Sequence, residues 1–260
     1  MRSLRATIKR NPSLFSIVRW VQLSSPFNRL EAEIRLLPYL VPSQCLAVDV
    51  GAHSGVYTYA LSRLATEVIA IEPNLALAQD LAQAFRRRRV TVVAEAASDV
   101  AETAVLRTPK GNASGTGLAT LSPTNTLGGS VFSTTNVAAR PLDKIVGEDV
   151  PIGFIKIDVE GHELAVLRGA NQLLSRWRPN LLIEAEERHR DGAVASVVQF
   201  LQPFGYRGFM LRKGILTSIA DFESSRDQNL SPIAAPAEGL KPAEYSNNFI
   251  FIAEAVRFDR

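Results

Sequence analysis

Short apolar runs alternate along this chain with stretches in which apolar residues recur every three or four positions. The runs have the length of buried strands, and several end in an acidic residue. They cover residues 46–50, 67–72, 90–97, 154–158, 180–186, 204–211 and 248–253. The periodic stretches predict helices at residues 31–40, 57–64, 75–85, 164–174 and 193–201. This alternation predicts an α/β doubly wound sheet, with the last two strands as an antiparallel pair.

Two segments lie outside the alternating pattern. Residues 1–36 interleave arginines with apolar and aromatic residues and contain Pro12 and Pro26, which predicts a helical extension ahead of a main domain at residues 37–260. Residues 110–136 are rich in glycine, serine, threonine and asparagine and lack periodicity. A stretch of this kind is typical of a functional lid or of a surface loop, so we interpret it as a candidate lid loop with a surface loop as the alternative.

Composition limits the classes of protein that fit. The chain has 260 residues, a formal net charge of +3 and a single cysteine. We expect one domain with an extension, no internal disulfide and a cytoplasmic location. The lack of a broad basic surface with interleaved aromatic residues disfavours nucleic acid as a partner. The basic N-terminal segment fits contact with an anionic membrane surface, although a helical cover with solvated arginines is the interpretation that we prefer.

Gly51 and Gly55 follow the first predicted strand in the pattern Asp-x-Gly-x-x-x-Gly. Glycine permits positive φ and close approach of the backbone to a ligand, and the next helix points its amide groups at the turn. A dinucleotide-binding turn has glycine where this chain has His53, so the pattern disfavours pyrophosphate and a nicotinamide dehydrogenase. Asp49 instead places a carboxylate beside the turn, where it repels phosphate and attracts a cationic cofactor.

A second acidic residue, Glu72, ends the next predicted strand about twenty residues after the glycines, at the spacing of a carboxylate that binds ribose hydroxyls. A ribose together with a positive charge indicates S-adenosylmethionine. Glu95, near the end of the third predicted strand, either accepts from the adenine amino group or is an exposed loop acid. The alternative for Asp49 and for Glu72, each taken alone, is a cap of the helix after its strand, but their joint spacing favours cofactor binding. The predicted cofactor-binding residues are Asp49, Gly51, His53, Gly55, Glu72, Pro73, Asn74 and Glu95.

Acidic residues also follow two later strands. Lys156 and Asp158 share one face of a strand, and a buried lysine needs a partner, for which Glu184 of the next strand is the candidate. Convergence of Asp158, Glu160, Glu184 and Glu186 at neighbouring strand ends indicates a proton acceptor, a metal site or both. We interpret Asp158 as the central catalytic acid, assisted by Glu160 and Glu184 and organised by Lys156. Asp158 and Glu184 are also the candidate ligands of a divalent metal.

The alternative for this cluster is a buried polar network that only holds the strands together. Two histidines lie near it in sequence, His162 and His189. Either is able to join the cluster, but a lone histidine is more often structural, and we favour that role for His189.

The run Ile-Lys-Ile-Asp-Val-Glu-Gly-His-Glu at residues 155–163, followed by Leu-Arg-Gly-Ala at 167–170, carries the most specific resemblance to known proteins. The chain resembles the FkbM family of S-adenosylmethionine-dependent methyltransferases from about residue 47 to residue 252. Supporting matches are residues 49–55, 72–73, 97–99, 141–143 and the strand of Glu184. The resemblance implies a Rossmann-like class I methyltransferase sheet of seven mostly parallel strands with an antiparallel C-terminal strand.

The resemblance also implies O-methylation, often of sugar hydroxyls or natural-product scaffolds. We therefore predict an S-adenosylmethionine-dependent O-methyltransferase that acts on a small-molecule or glycan acceptor. The alternative is a non-catalytic S-adenosylmethionine-binding partner or sensor in a biosynthetic complex, and the intact acidic cluster argues against it.

Overall fold

A large sheet of eight strands and a small sheet of three strands carry the fold. The computed structural model describes residues 32–110, 118–126, 129, 131–147, 149–229 and 245–253. Its strands are β1 Leu46–Val50, β2 Glu67–Ile71, β3 Val90–Val93, β4 Ala96–Ser98, β5 Glu102–Pro109, β6 Phe132–Pro141, β7 Ile152–Ile157, β8 Asn180–Glu184, β9 Tyr206–Arg212, β10 Ile215–Ser218 and β11 Asn248–Ala253. Its α-helices are α1 Leu37–Leu40, α2 Val56–Leu61, α3 Leu75–Phe85, α4 Leu142–Val146, α5 Glu163–Arg168, α6 Asn171–Trp177, α7 Ala193–Leu201 and α8 Ser224–Asp227.

The large sheet has the strand order β10-β9-β11-β8-β7-β1-β2-β3. The five strands from β8 to β3 in this order are parallel, and β11 pairs antiparallel with β8 and with β9. The predicted doubly wound α/β fold is confirmed. The sheet has eight strands rather than seven because β9 turns at Lys213 and Gly214 into β10. Both turn residues have positive φ, which two-residue hairpin turns require.

Apolar side chains cover both faces of the parallel strands, as expected where helices flank a sheet on two sides. Val48 and Ile155 belong to the larger core on one face. Ala47 and Phe154 belong to the second core on the other face, together with residues of α1. On this second face the strands carry polar residues beyond the apolar ones, toward their carboxyl ends, and this places the candidate site there.

The small sheet, with the order β4-β6-β5, changes two sequence-based expectations. The strand predicted at residues 90–97 is two strands, of which β3 joins the large sheet and β4 the small one. The lid loop predicted at residues 110–136 ends in a strand, because residues 132–136 are part of β6 and pair with β5. Residues 111–117, 127, 128 and 130 of that segment lie outside the described residues, and a lid role stays a prediction.

The helix predicted at residues 164–174 is also interrupted. It forms two helices, α5 and α6, that meet at Gly169 and Ala170. A Cβ atom on Gly169 would lie 1.8 Å from the carbonyl oxygen of Ser98. The close approach of β4 to this glycine explains why the small sheet packs at the break between the two helices.

Residues 1–31 of the predicted N-terminal extension lie outside the described residues. The remainder, Ala32–Leu36, forms a 3₁₀ helix that continues into α1, and Ile34 packs against the second core. Each helix of the described ranges is too short or too polar to cross a lipid bilayer.

Candidate active site

A cavity of about 200 Å³ lies at the carboxyl ends of β1 and β7. Ligands of doubly wound sheets collect at this edge, where the loops after the strands approach one another. The cavity is lined by Ile34, Asp49, Gly51, Ala52, His53, Ser54, Val56, Tyr57, Lys156 and Asp158. The glycine turn and the strand carrying Lys156 and Asp158 are therefore parts of one site.

The glycine turn is fixed by close packing and by backbone hydrogen bonds. Gly51 has φ +81°, and a Cβ atom there would lie 1.8 Å from the carbonyl oxygen of Asp158. The amides of Gly51 and Ala52 donate to the carbonyl of Ile71 at 3.0 and 3.1 Å. Gly55, at φ +76°, precedes α2. The turn thus contacts both β2 and the loop after β7, and it permits no side chain at Gly51.

Asp49 is a buried carboxylate beside the cavity, with 2% of its surface exposed. The hydroxyl of Thr58, on α2, donates to Asp49 Oδ2 at 2.5 Å. Burial raises the pKa of the Asp49 carboxyl to about 6, while the Thr58 hydrogen bond and the Lys156 ammonium act in the opposite direction. At neutral pH, Asp49 therefore supplies negative charge to the cavity.

Glu72 lies behind the turn and contacts the cavity lining through His53. Its Oε2 accepts the backbone amide of His53, and its Oε1 accepts that of Asn74, each at 2.8 Å. Burial raises the pKa of the Glu72 carboxyl to about 6. Asn74 accepts the amides of Ala76 and Leu77, which caps α3, and Pro73 separates it from Glu72. Each carboxylate oxygen keeps lone-pair capacity for a second donor such as a ribose hydroxyl.

Lys156 is completely buried in β7 and is held by polar groups at the carboxyl end of the sheet. Its Nζ lies 3.7 Å from Asp158 Oδ2 and 3.2 Å from Asn248 Oδ1. It also lies 5.0 Å from the centre of the Tyr57 ring. These contacts compensate a buried ammonium, which is costly when it has no partner. The predicted pairing of Lys156 with Glu184 stays a prediction.

The four predicted catalytic residues differ in exposure. Asp158 lines the cavity, and 29% of its side chain is exposed. Glu160 and Glu184 are buried. Glu184 pairs across the sheet with Asn248 and accepts from the side-chain amide of Asn247. The structure therefore brings Lys156 and Asp158 to the cavity, and it places Glu184 within a network at the start of β11.

Glu160 turns toward the loop after β8. Its Oε2 lies 3.0 Å from Nε2 of His189, and both side chains are buried. Glu186, from the same loop, accepts from the hydroxyl of Tyr245 and the guanidinium of Arg188. Through these contacts, Glu160 and Glu186 take part in a polar network between loops. The assisting roles of Glu160 and Glu184 stay predictions.

Two more predicted residues take part in contacts between elements. Nε2 of His162 lies 2.9 Å from the hydroxyl of Ser98 in β4, and burial lowers the pKa of His162. Glu95 forms an ion pair with Arg140 of β6, and 27% of its side chain is exposed. Recognition of adenine by Glu95 stays a prediction. The described residues contain no group of three or more histidine, cysteine, aspartate or glutamate side chains arranged to hold a metal ion.

A family model described as the methyltransferase FkbM domain matches residues 49–207, more than half of the 260 residues. The chain belongs to the FkbM methyltransferase family. This match confirms the resemblance seen in the sequence. The domain is thus a methyltransferase domain of the S-adenosylmethionine-dependent type.

The chain is similar to solved structures at low sequence identity. The methyltransferase FkbM from Methylobacillus flagellatus KT is 21% identical with a TM-score of 0.51, and the match covers 80% of this chain and 43% of that one. This chain therefore spans less than half of the Methylobacillus protein. An rRNA methylase from Streptococcus thermophilus is 12% identical, with a TM-score of 0.46 and coverage of 89% and 99%. None of the curated proteins compared matches this chain.

The cavity of this FkbM-family chain fits S-adenosylmethionine by its chemistry. The cofactor carries a sulfonium and an ammonium, and the cavity presents the carboxylates of Asp49 and Asp158. It also carries a ribose, and Glu72 retains acceptor capacity next to the turn. The absence of a side chain at Gly51 lets the turn pack directly against the backbone of Asp158, which brings both parts of the cavity lining together. We infer that Asp49, the turn at residues 51–55 and Glu72 would hold the cofactor.

Sequence reasoning missed several residues that complete this FkbM-family site. Thr58 binds Asp49, Tyr57 covers Lys156, and Asn248 accepts from Lys156. Asn248 could have been found from the sequence, because it is a polar residue at the start of an otherwise apolar strand. Antiparallel pairing of this strand with β8 places Asn248 opposite Glu184. Nothing in the periodicity of α2 distinguishes Tyr57 and Thr58 from core positions.

Glu163, the last residue of the family motif, is a buried carboxyl with an unusual environment. It is 1% exposed, and its Oε1 accepts the amide of Gly161 at 2.7 Å. Its Oε2 has no hydrogen-bond partner among the described residues. Burial raises the pKa of Glu163 from its ordinary value of 4.5 to about 7. The folded protein therefore binds a proton at Glu163 more tightly than the unfolded chain does.

We expect Glu163→Gln to reduce the loss of stability between pH 5 and pH 8. In the wild type, the contribution of Glu163 to the free energy of unfolding is greatest below the unfolded pKa and falls as pH rises through the folded pKa. On going from pH 5 to pH 8, the free energy of unfolding of the variant should rise by on the order of 2 kcal/mol relative to that of wild type. Urea denaturation at both pH values measures this, with Glu67→Gln, at an exposed position, as the control. Equal pH slopes for wild type and Glu163→Gln would contradict the assignment.

Proposed function

We propose that this chain is an S-adenosylmethionine-dependent O-methyltransferase whose acceptor is a hydroxyl of a sugar, glycan or natural product. The observation that carries the proposal is the single cavity that joins Asp49 and the glycine turn to the partly exposed carboxylate of Asp158. One part of the cavity suits a cationic cofactor, and the other offers a proton acceptor next to it.

The protein's own contribution to this reaction is positioning and proton removal. When bound, S-adenosylmethionine supplies an electrophilic methyl group on sulfur. The acceptor oxygen would form the new O–CH₃ bond while the S–CH₃ bond breaks, so that the sulfur leaves as the thioether of S-adenosylhomocysteine. The hydroxyl proton would pass to a carboxylate oxygen of Asp158. Lys156, 3.7 Å from Asp158, holds that carboxylate in place. Orientation of two reactants supplies roughly 7–11 kcal/mol in favourable cases, so a modest base is sufficient when the geometry is right.

The charges around the cavity favour an acceptor without negative charge. Asp49 and Asp158 line it directly, and Lys156 is the one lysine or arginine among the described residues that line it. Two carboxylates against one ammonium repel a phosphate or carboxylate on the acceptor. A neutral sugar hydroxyl fits this environment, because its hydrogen bonds to ionised carboxylates are charge-assisted.

The activity test uses tritiated S-adenosylmethionine with a glycan extract from cells that lack this protein. We expect S-adenosylhomocysteine to form and tritium to enter neutral glycans. Mass spectrometry of glycans from cells with and without the protein should then show one methyl group lost in its absence. Binding of S-adenosylmethionine without any turnover, across neutral and charged acceptor pools, would favour a non-catalytic sensor instead.

A divalent cation bound by Asp158 and Glu184 is a separate part of the proposal. Such an ion would lower the pKa of an acceptor hydroxyl bound to it, so that a weak carboxylate base would be sufficient to remove the proton. Treatment with EDTA, followed by return of Mg²⁺ or Mn²⁺, tests it. Loss and recovery of turnover would support the metal role, and unchanged turnover in EDTA would exclude it.

Affinity for S-adenosylmethionine should fall below about pH 6. The pKa values of Asp49 and Glu72 are both about 6, so acid neutralises the charges that attract the cofactor. We expect binding to be about tenfold weaker at pH 5 than at pH 8 if one of the two charges is needed, and about a hundredfold weaker if both are, because about one tenth of each carboxyl stays ionised. Calorimetry at both values measures this. S-adenosylhomocysteine, which lacks the sulfonium, should lose less affinity, and equal affinities at both pH values would contradict the role of Asp49.

A further inference from the structure

The loop after β7 contains a residue in an unusual backbone conformation. Glu160 has φ +54°, in the left-handed region that side chains other than glycine rarely adopt. Its carbonyl accepts the hydroxyl of Thr120 at 2.7 Å and the side-chain amide of Asn125 at 2.8 Å. Both donors are buried. A carbonyl oxygen has two lone pairs, so these two donors use its full capacity.

The segment that carries these donors, residues 118–126, is itself fixed to the small sheet. Thr120 pairs through its backbone with Arg107 of β5. The guanidinium of Arg107 donates to the carbonyls of Ser122 and Asn125. Thr120 Oγ1 also accepts the amide of Ser122 at 2.9 Å, so the hydroxyl proton is directed at Glu160. Thr120 and Asn125 are therefore held in place by contacts that do not involve the loop after β7.

Asp158 is fixed at the other end of the same loop. Its amide donates to the carbonyl of Val50 at 3.0 Å, and its carbonyl packs against Gly51. Two residues further on, Glu160 is held by Thr120 and Asn125. The backbone that carries the Asp158 carboxylate is thus restrained by β1 on one side and by the small sheet on the other.

We propose that Thr120 and Asn125 are positioning residues for methyl transfer. By holding Glu160 in the left-handed conformation, they direct the loop so that the Asp158 carboxylate faces the cavity. A reacting group must be held within roughly 0.5 Å of its productive position, and a loop without these two hydrogen bonds relaxes away from it. This inference rests on the proposed catalytic role of Asp158.

The test compares near-isosteric variants in the tritium-transfer assay with the glycan extract. Thr120→Val and Asn125→Leu each remove one donor to Glu160. We expect the maximal rate to fall roughly tenfold for each, because small displacements of reacting groups have effects of this size. The KM for S-adenosylmethionine should stay within about threefold of wild type, since Asp49 and the glycine turn are unchanged. Thr120→Ser keeps the donor and should restore most of the rate.

Thr134→Val is the matched control, since Thr134 is an exposed threonine of β6. A wild-type rate for Thr120→Val overturns the proposal. So does an equal loss in Thr120→Ser, because the hydroxyl would then be irrelevant.

Hydrogen exchange of the amides from Asp158 to Gly161 provides a readout that needs no acceptor. We expect faster exchange in Thr120→Val than in Thr134→Val, and equal exchange overturns the proposal. If wild type itself transfers no methyl group to any extract, the proposed function fails, and the exchange result still decides whether Thr120 restrains the loop.

Discussion

Asp158→Asn should reduce methyl transfer by a factor of about a thousand or more while leaving the fold intact. The amide has the size of the carboxylate but does not accept the acceptor's proton, and it provides no charge for Lys156 at 3.7 Å. Tritium transfer to the glycan extract measures the rate. Calorimetry should show that S-adenosylmethionine still binds, because Asp49 and the glycine turn remain in place.

Asp191→Asn is the matched control for this prediction, because Asp191 is exposed and lies outside the cavity lining. It should transfer methyl groups at the wild-type rate. Glu184→Gln should have a smaller effect than Asp158→Asn, since Glu184 is buried against Asn247. Turnover near the wild-type level in Asp158→Asn would remove Asp158 from the mechanism and return the acidic cluster to a structural role.

Gly51→Ala should nearly abolish cofactor binding and strongly destabilise the protein. A Cβ atom at this position would lie 1.8 Å from the Asp158 carbonyl oxygen, so the turn and the loop after β7 must separate. The left-handed φ of +81° adds roughly 1–2 kcal/mol for a residue with a side chain. We expect a total loss of about 3 kcal/mol or more in urea denaturation, and at least a hundredfold weaker binding of S-adenosylmethionine in calorimetry.

Gly214→Ala separates the steric effect from the backbone effect. Gly214 also has a positive φ, +77°, but a Cβ atom there meets nothing within 4 Å among the described atoms. This variant should lose only roughly 1 kcal/mol and bind the cofactor as wild type does. Similar losses in both variants would show that the contact between Gly51 and Asp158 is unimportant.

Much of the fold follows from local pattern. The helices at Leu75–Phe85 and Ala193–Leu201 and the strand Asn248–Ala253 have the predicted bounds, since each has a clear period and clear ends. The strand β10 was missed because its four residues, Ile215–Ser218, have no alternation of their own and depend on pairing with β9. Local pattern does not reveal a strand that exists because of its neighbour.

The interrupted helix has a similar explanation. Residues 164–174 have continuous helical spacing, yet the chain breaks at Gly169, where the Ser98 carbonyl approaches. This contact joins β4 to residues about seventy positions later in the chain. Periodicity along one segment contains no information about such an approach, although the glycine itself was visible.

The site residues at the ends of strands could be predicted from the sequence. The contacts that individual side chains make with one another could not. The sequence predicts Asp49 at the end of one strand, and Lys156 and Asp158 at the end of another. The cavity contains all three, because parallel strands end at one edge of the sheet. That Glu160 would face His189, and Glu184 Asn247, depends on loop geometry. The donors to the Glu160 carbonyl lie about forty residues away in a segment without periodicity, and no sequence signal placed them.

The most direct test of the account is a crystal structure of the full chain with S-adenosylhomocysteine. The central claim is that Asp49, the glycine turn at residues 51–55 and Asp158 form the cofactor and reaction site. We predict ligand density in this cavity, with the ribose next to Glu72 and the sulfur on the side of Asp158. Density at another site, with this cavity free of ligand, would contradict the claim.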